Sequence, residues 1–182
     1  MLVLGVDPGR SAALALVECR PGARPRLVGS WSVWGTPSIW WGRLQEALRG
    51  LPLAEVTTLA IERPAADGRQ RAEVRAERGP ATWLGMGWRA GLIEGAVRSA
   101  APALADVRHV DSGAWPRALR LPPGKQAHGQ FARGWHRVIE AQTLGVGLPA
   151  EVVRQPDITA AAQERLVSRS EAALIALAAH TL

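Results

Sequence analysis

The chain has 182 residues, of which 47% are hydrophobic and 21% are charged. This length supports one domain with a full hydrophobic core, and the composition indicates a globular rather than a disordered protein. The formal net charge of +6 favours a polyanionic partner, most simply nucleic acid, and no apolar run reaches the roughly 18 residues of a membrane helix.

Cysteine usage and the N-terminus predict a cytoplasmic location. The single cysteine, Cys19, excludes an intrachain disulfide and suits a reducing compartment. The N-terminus has no basic segment before an apolar run, so we expect no signal peptide. Asparagine is absent and cysteine is scarce, which agrees weakly with a thermophilic source.

Hydrophobic periodicity predicts one α/β domain over residues 1–182. In chain order the predicted elements are strands at 2–7, 12–17 and 26–33, a helix at 37–48, a strand at 56–61, a helix at 80–100, a strand at 107–110, a short helix at 114–119, a helix at 126–143, a loop at 145–156, and one long helix or two at 158–182. The highly charged segment 65–78 is predicted to be exposed. This order predicts a mixed five-stranded sheet, with the first three strands antiparallel and helices on both faces.

Two predicted strands end in an acid followed by a proline. Asp7 precedes Pro8, and Glu62 is followed, after Arg63, by Pro64. If the two strands are parallel neighbours, their ends lie about 5 Å apart and the carboxylates converge. Because two anions at that distance repel each other, a cation between them is favoured, and oxygen ligands suit Mg²⁺ or Mn²⁺. The alternative is that Asp7 only begins the turn, where aspartate is common.

A third acid and the only lysine are further candidates. Glu171 precedes a segment that is apolar on all sides, so it would stand near the mouth of a buried helix; alternatively it only complements the helix dipole. Lys125 is the one lysine among 22 basic residues. Its compact ammonium suggests a specific role, while the alternative is an accidental loop residue.

Glycines and tryptophans give weaker indications. Gly87, Gly91 and Gly95 share one face of a predicted helix, and the spacing suggests that either the sheet or a second subunit approaches closely. Eight tryptophans are many for this length. We expect a core position for four of them: Trp31, Trp34, Trp40 and Trp41.

These motifs together resemble those of the RuvC-type Holliday junction resolvases, and most of all the compact phage resolvases of the RNase H-like superfamily. The resemblance spans residues 1 to about 180 and rests on sparse motifs: Val6-Asp7-Pro8-Gly9, Ile61-Glu62, the segment from Val110 to Trp115 followed by Leu119 and Lys125, and Glu171-Ala172-Ala173-Leu174.

The resemblance implies an RNase H-like fold and a dimeric, Mg²⁺-dependent endonuclease that nicks a four-way DNA junction symmetrically. Asp7, Glu62 and Glu171 would match the family's metal-binding acids, and Lys125 its active-site lysine. Two ions about 3.5–4 Å apart would clamp the scissile phosphate, and Lys125 would stabilise the charge that develops on it. The chain departs from the family pattern where Glu171 replaces the usual aspartate and where Ser168 stands in place of an acid or histidine. Glu164 lies on the same helix face and could substitute for Ser168.

The resemblance also suggests which residues contact DNA and which other functions compete. The candidates for backbone contacts are Arg10, Arg69, Arg71, Arg75, Arg78, Arg117, Arg120 and Arg169, and the candidates for stacking at the junction are Trp83 and Trp88. The competing functions are a less selective nuclease for branched DNA or RNA–DNA hybrids, and a non-catalytic junction-binding protein. An actin-like ATPase is disfavoured because the chain is too short for two lobes and lacks a second Asp-Gly phosphate loop.

Overall fold

A computed structural model describes residues 1–9, 11–63, 80–122, 134–153 and 158–181. The strands are β1 (Leu2–Asp7), β2 (Ala12–Glu18), β3 (Arg26–Val33), β4 (Val56–Arg63) and β5 (Asp106–Asp111). The helices are α1 (Pro37–Arg49), α2 (Pro80–Ala100), α3 (Ala114–Ala118), α4 (His136–Thr143), α5 (Ala150–Val153) and α6 (Ala160–Thr181), with a short 3₁₀ helix at Leu53–Glu55.

The five strands form one mixed sheet in the order β3-β2-β1-β4-β5. The β1–β2 and β2–β3 pairs are antiparallel, whereas β1–β4 and β4–β5 are parallel. This arrangement confirms the predicted α/β class and the three antiparallel strands at the start. The strand β1 lies in the centre and is almost wholly buried, because helices cover both of its faces.

Each face of the sheet has its own apolar core. Helix α6 covers one face, where it packs on small side chains of β1, β2 and β4. Helices α1 and α2 cover the other face and contribute Trp40, Leu44, Ile93 and Val97 to its core. Among the described residues there is no helix that is both long and apolar enough to cross a membrane.

Gly5 allows α6 to lie directly on the central strand. A Cβ atom at this position would stand 2.0 Å from the carbonyl oxygen of Ala172 and 2.8 Å from the Cβ atom of Ala176. Any side chain larger than hydrogen would therefore push α6 away from the sheet. Gly5 thus sets the distance between the sheet and the helix that carries Glu171.

The last third of the chain differs from the prediction in two places. The helix expected over 126–143 begins only at His136 in the described part, because Gly134 has a φ of 93°, which is incompatible with a helix. Its earlier residues, 126–133, lie outside the described residues. The loop expected over 145–156 contains the single-turn helix α5, which follows Pro149, a residue suited to the start of a helix. The long C-terminal segment forms one helix, as one of the two alternatives predicted.

The glycine stripe and two of the tryptophans lie elsewhere than expected. A Cβ atom at Gly87, Gly91 or Gly95 would meet nothing within 4 Å, so this face of α2 points away from the sheet, and the sheet alternative is wrong. Trp40 is buried as predicted and Trp31 is partly buried, but Trp34 and Trp41 are each 40% exposed. Helix α1 is amphipathic and buries Trp40, which turns the adjacent Trp41 outward.

Candidate active site

Asp7 occupies the end of the buried central strand and is only 6% exposed. Its Oδ1 atom accepts a hydrogen bond of 2.9 Å from the backbone N–H of Gly9. This bond confirms that Asp7 organises the turn after β1, as the simpler alternative expected. A carboxylate has two oxygens and several acceptor sites, so the turn role and a ligand role are chemically compatible.

Glu62 lies beside Asp7 on the neighbouring strand. The parallel pairing of β1 with β4 continues to Val6 opposite Ile61, and Asp7 and Glu62 are the next residues of the two strands. Adjacent strands run about 4.8 Å apart. The predicted convergence of two acidic strand ends is thus confirmed at the level of the backbone.

The two carboxylates also point to the same face of the sheet. Val3 and Ala60 belong to the core beneath α6, whereas Val6 and Ile61 belong to the opposite core. Because side chains alternate along a strand, the residues after Val6 and Ile61 face α6. Asp7 and Glu62 therefore share the face covered by the C-terminal helix.

Trp115 holds the Glu62 side chain. The indole Nε1–H of Trp115 donates a hydrogen bond of 3.0 Å to Oε1 of Glu62, and Trp115 itself is only 3% exposed. The guanidinium carbon of Arg137 lies 4.9 Å from the centre of the Trp115 ring. The sequence suggested Trp115 only as part of a motif; its contact with Glu62 depends on the packing of α3 against β5 and α6.

Arg89 supports the turn that follows Asp7, a role that was not predicted from the sequence. Its Nε–H donates a hydrogen bond of 3.0 Å to the carbonyl oxygen of Pro8. Burial lowers the pKa of the Arg89 guanidinium, while the negative charge of Asp7 opposes that shift. The available signal was a charged residue in the middle of the mostly apolar helix α2, and only the packing of α2 against the sheet reveals its target.

Glu171 lines an open cleft at the same edge of the sheet. The cleft has a volume of about 790 Å³ and includes Ser11, from the β1–β2 turn, together with Gly35 and Thr36, which follow β3. Glu171, Ser168 and Glu164 all line it from α6, as their helical spacing predicted. The C-terminal helix therefore brings Glu171 to the edge where β1 ends.

The three acids do not form one compact cluster. Within the described ranges there is no group of three or more His, Cys, Asp or Glu side chains arranged to hold a metal ion. Asp7 and Glu62 are adjacent strand-end neighbours, whereas Glu171 approaches the same edge from a different element. In donor chemistry, two carboxylates at neighbouring strand ends suit a hard divalent cation. Glu171 is not grouped with that pair.

Several predicted residues fall outside the described part of the chain. These are Lys125, Arg10, Arg69, Arg71, Arg75 and Arg78. Of the remaining arginine candidates, Arg117 and Arg120 are exposed on and just after α3. Arg169 instead donates a hydrogen bond of 2.9 Å from Nε to Oγ of Ser30, and burial lowers its pKa. Trp88 is half exposed, as a stacking role requires, while the Trp83 side chain is outside the described set.

Comparison with solved structures confirms the fold. Neither a protein-family model nor a curated protein matches the sequence. The chain is similar to "T. thermophilus RuvC in complex with Holliday junction substrate", with a TM-score of 0.61 and 17% identity, over 100% of this chain and 94% of that one. It is also similar to a Thermus thermophilus RuvC structure, with a TM-score of 0.59 and 20% identity over the same shares of the two chains. The predicted RNase H-like architecture is therefore correct.

Proposed function

We propose that this protein is a RuvC-type Holliday junction resolvase: a metal-dependent endonuclease that nicks four-way DNA junctions symmetrically. The observation that carries the proposal is the pair of acids, Asp7 and Glu62, at adjacent parallel strand ends on one face of a RuvC-like fold. The positive net charge agrees with a DNA partner. A cytoplasmic location remains a prediction from the single cysteine and the N-terminal sequence.

In this proposal Asp7 and Glu62 hold Mg²⁺, or Mn²⁺ in its place. When bound, the ion supplies positive charge at the scissile phosphate and lowers the pKa of a bound water. Trp115 fixes the direction of Glu62 by its hydrogen bond, and Arg89 fixes the turn that carries Asp7. These two hydrogen bonds restrict the positions of the carboxylates before the substrate binds.

Glu171 and Lys125 have separate roles in the proposal. Glu171 faces the cleft from α6 and serves as the third acid, with Ser168 and Glu164 beside it. Lys125 would stabilise the negative charge that develops on the phosphate. Whether one ion or two bind depends on which of these cleft residues joins the pair of strand-end acids.

We also propose that the protein acts as a homodimer. Symmetrical nicking of a four-way junction requires two active sites, and the exposed face of α2 supports a second copy as the partner. Gly87, Gly91 and Gly95 have open space around them on this face, with Leu84 75% exposed and Trp88 50% exposed nearby. Glycines at this spacing allow two helices to approach closely, which would compensate for their low helix propensity.

The decisive experiment is cleavage of an end-labelled four-way junction in Mg²⁺ or Mn²⁺. We expect paired nicks at symmetrical positions, and Asp7→Asn should abolish cleavage while junction binding remains. Glu171→Gln should lose most activity; near-normal activity of that variant would point instead to Glu164, which lines the same cleft, as the third acid. If Asp7→Asn cleaves like the wild type, the proposed metal site is wrong.

A second candidate function is a non-catalytic junction-binding protein. The observation that favours it is that Asp7, Glu62 and Glu171 do not form one metal-binding group within the described residues, with Ser168 beside Glu171. This protein would bind the junction tightly and leave it intact in both metals. Single cuts in many branched substrates would instead indicate a less selective nuclease.

A further inference from the structure

An exposed tryptophan stands at the rim of the cleft that contains Glu171. Trp34 directly follows β3 and is 40% exposed. Its carbonyl oxygen accepts a hydrogen bond of 2.8 Å from Nη1 of Arg43, and the Arg43 guanidinium carbon lies 3.4 Å from the centre of the Trp34 ring. Arg43 therefore fixes both the backbone and the ring of this residue.

A second arginine reaches the same ring from the C-terminal helix. The guanidinium carbon of Arg165 lies 4.9 Å from the centre of the Trp34 ring. A guanidinium held over an aromatic ring keeps its N–H groups at its edge, where they remain able to donate. Within the described residues no carboxylate or carbonyl accepts a hydrogen bond from Arg165, in contrast to Arg63, Arg98 and Arg137, which each pair with an acid.

Trp34 and Arg165 connect two adjoining depressions. Both residues line the cleft of about 790 Å³ that holds Glu171. Both also line a neighbouring depression of about 430 Å³ that contains Arg169. An extended anionic chain lying across these depressions would pass Arg169 and Arg165 and then reach the acidic edge of the sheet.

Arg165 is suited to a phosphate rather than to an unpaired base. The Trp34 ring is already in contact with guanidinium groups, so it does not offer a free face for base stacking. Holding Arg165 against the ring also reduces the rotamer entropy that a long side chain loses on binding. Glu164 lines the same cleft, and its negative charge weakens the general attraction of the cleft for anions. A phosphate would therefore have to be bound by direct hydrogen bonds from the N–H groups of Arg165.

We propose that Arg165, held in place by Trp34 and Arg43, contacts the phosphodiester backbone of the DNA strand that enters the acidic site. The inference rests on the proposed nuclease function and adds the path of the strand: across the side of the cleft formed by the end of β3 and the start of α6. Arg165 was not among the arginines that the sequence suggested, because its position beside Trp34 depends on two segments more than 100 residues apart.

The test is the salt dependence of binding to a fluorescent four-way junction, measured in Ca²⁺ to prevent cleavage, with Arg165→Gln and Arg26→Gln as matched variants. Each removes one positive charge, but Arg26 lies at the opposite end of β3, where it pairs with Glu18. For Arg165→Gln we expect a several-fold weaker affinity and a plot of log Kobs against log salt that is shallower by about 0.9. Arg26→Gln should match the wild type in both.

Trp34 and a conservative variant complete the test. Trp34→Leu should weaken binding several-fold, and in the double variant with Arg165→Gln it should add little, because both changes remove one contact. Arg165→Lys should retain most of the salt slope, since it keeps the charge; this variant keeps the inference testable if Arg165→Gln fails to fold.

The outcomes separate this inference from the proposed function. If the wild type cleaves junctions but Arg165→Gln binds with unchanged affinity and slope, the strand contact is wrong and the nuclease proposal stands. If the wild type never cleaves but the slope still falls with Arg165→Gln, the contact stands and the nuclease proposal is wrong. A wild-type protein that binds no DNA overturns both.

Discussion

The contact between Gly5 and helix α6 gives the sharpest prediction about how the fold supports the site. In Gly5→Ala the new Cβ atom would lie 2.0 Å from the carbonyl oxygen of Ala172 and 2.8 Å from the backbone nitrogen of Ala176. Ordinary contacts begin near 3.4 Å, so α6 must move by more than 1 Å or the strand must bend. Overpacking of this kind costs about 1–3 kcal/mol, and a clash with two backbone atoms of α6 belongs at the upper end because backbone cannot rotate away as a flexible side chain can.

The same displacement reaches the candidate active site. Glu171 directly precedes Ala172, so a shift of α6 at Gly5 moves the acid relative to Asp7. A misplacement of about 1 Å can cost on the order of 100-fold in rate. We therefore expect Gly5→Ala to lose both stability and most junction cleavage, while the chemical groups of the site are unchanged.

Urea unfolding and thermal melting measure the first effect, and junction cleavage measures the second. A loss of about 3 kcal/mol corresponds to a decrease in Tm of roughly 6–12 °C for a chain of this size. Gly42→Ala is the matched control, because it adds the same methyl group to an exposed position of α1 where nothing lies within 4 Å. That variant should be stabilised by up to about 1 kcal/mol through helix propensity. A Gly5→Ala protein as stable as the wild type would refute the close packing of α6 on β1.

Three further predictions concern residues around the site. Trp115→Phe removes the hydrogen bond to Glu62, and the free energy of unfolding should decrease by about 1.5–3 kcal/mol. The affinity for Mn²⁺, measured by titration, should be weaker by roughly 10- to 100-fold. An unchanged affinity would show that Glu62 is not a metal ligand. Arg89→Met frees the turn after Asp7 and should reduce cleavage more than junction binding, as gel-shift and cleavage assays on one preparation would establish. Burial and a neighbouring guanidinium lower the pKa of His136 below its ordinary 6.5, so the unfolded chain binds the proton more readily and stability should fall as pH decreases below about 6.5. The urea midpoint of His136→Gln should depend less on pH over that range, and an identical pH profile would contradict the assignment.

Local signals in the sequence were enough for the elements that position the first two acids. Apolar strands ended by proline and glycine predicted β1 and β4 closely, with Asp7 as the last residue of β1 and Glu62 one residue before the end of β4. The condition attached to the metal-site hypothesis, that β1 and β4 are parallel neighbours, is met in the structure. Where local signals conflicted, as at Gly134 and in the segment that contains α5, the prediction was wrong.

Contacts between distant segments were beyond the sequence. The hydrogen bond from Trp115 to Glu62 spans 53 residues, and the one from Arg89 to Pro8 spans 81. Neither contact could be predicted from the sequence, because a local pattern does not indicate which remote atom an indole or a guanidinium group reaches in the folded chain. The exposure of Trp34 was missed for a related reason: hydrophobicity favours burial, and only the two arginines that meet at its ring make an exposed position favourable.

By itself the sequence determined the strands, the acids at their ends and the basic character of the chain, because these depend on local backbone preferences and on composition. The tertiary structure decided the rest. It placed the glycine face of α2 outward, laid α6 on Gly5, joined Trp115 to Glu62, and brought Glu171 to the edge of the sheet without grouping it with Asp7 and Glu62 among the described residues. Such features depend on how whole elements pack against each other, and packing depends on the shapes of surfaces that come from remote parts of the chain.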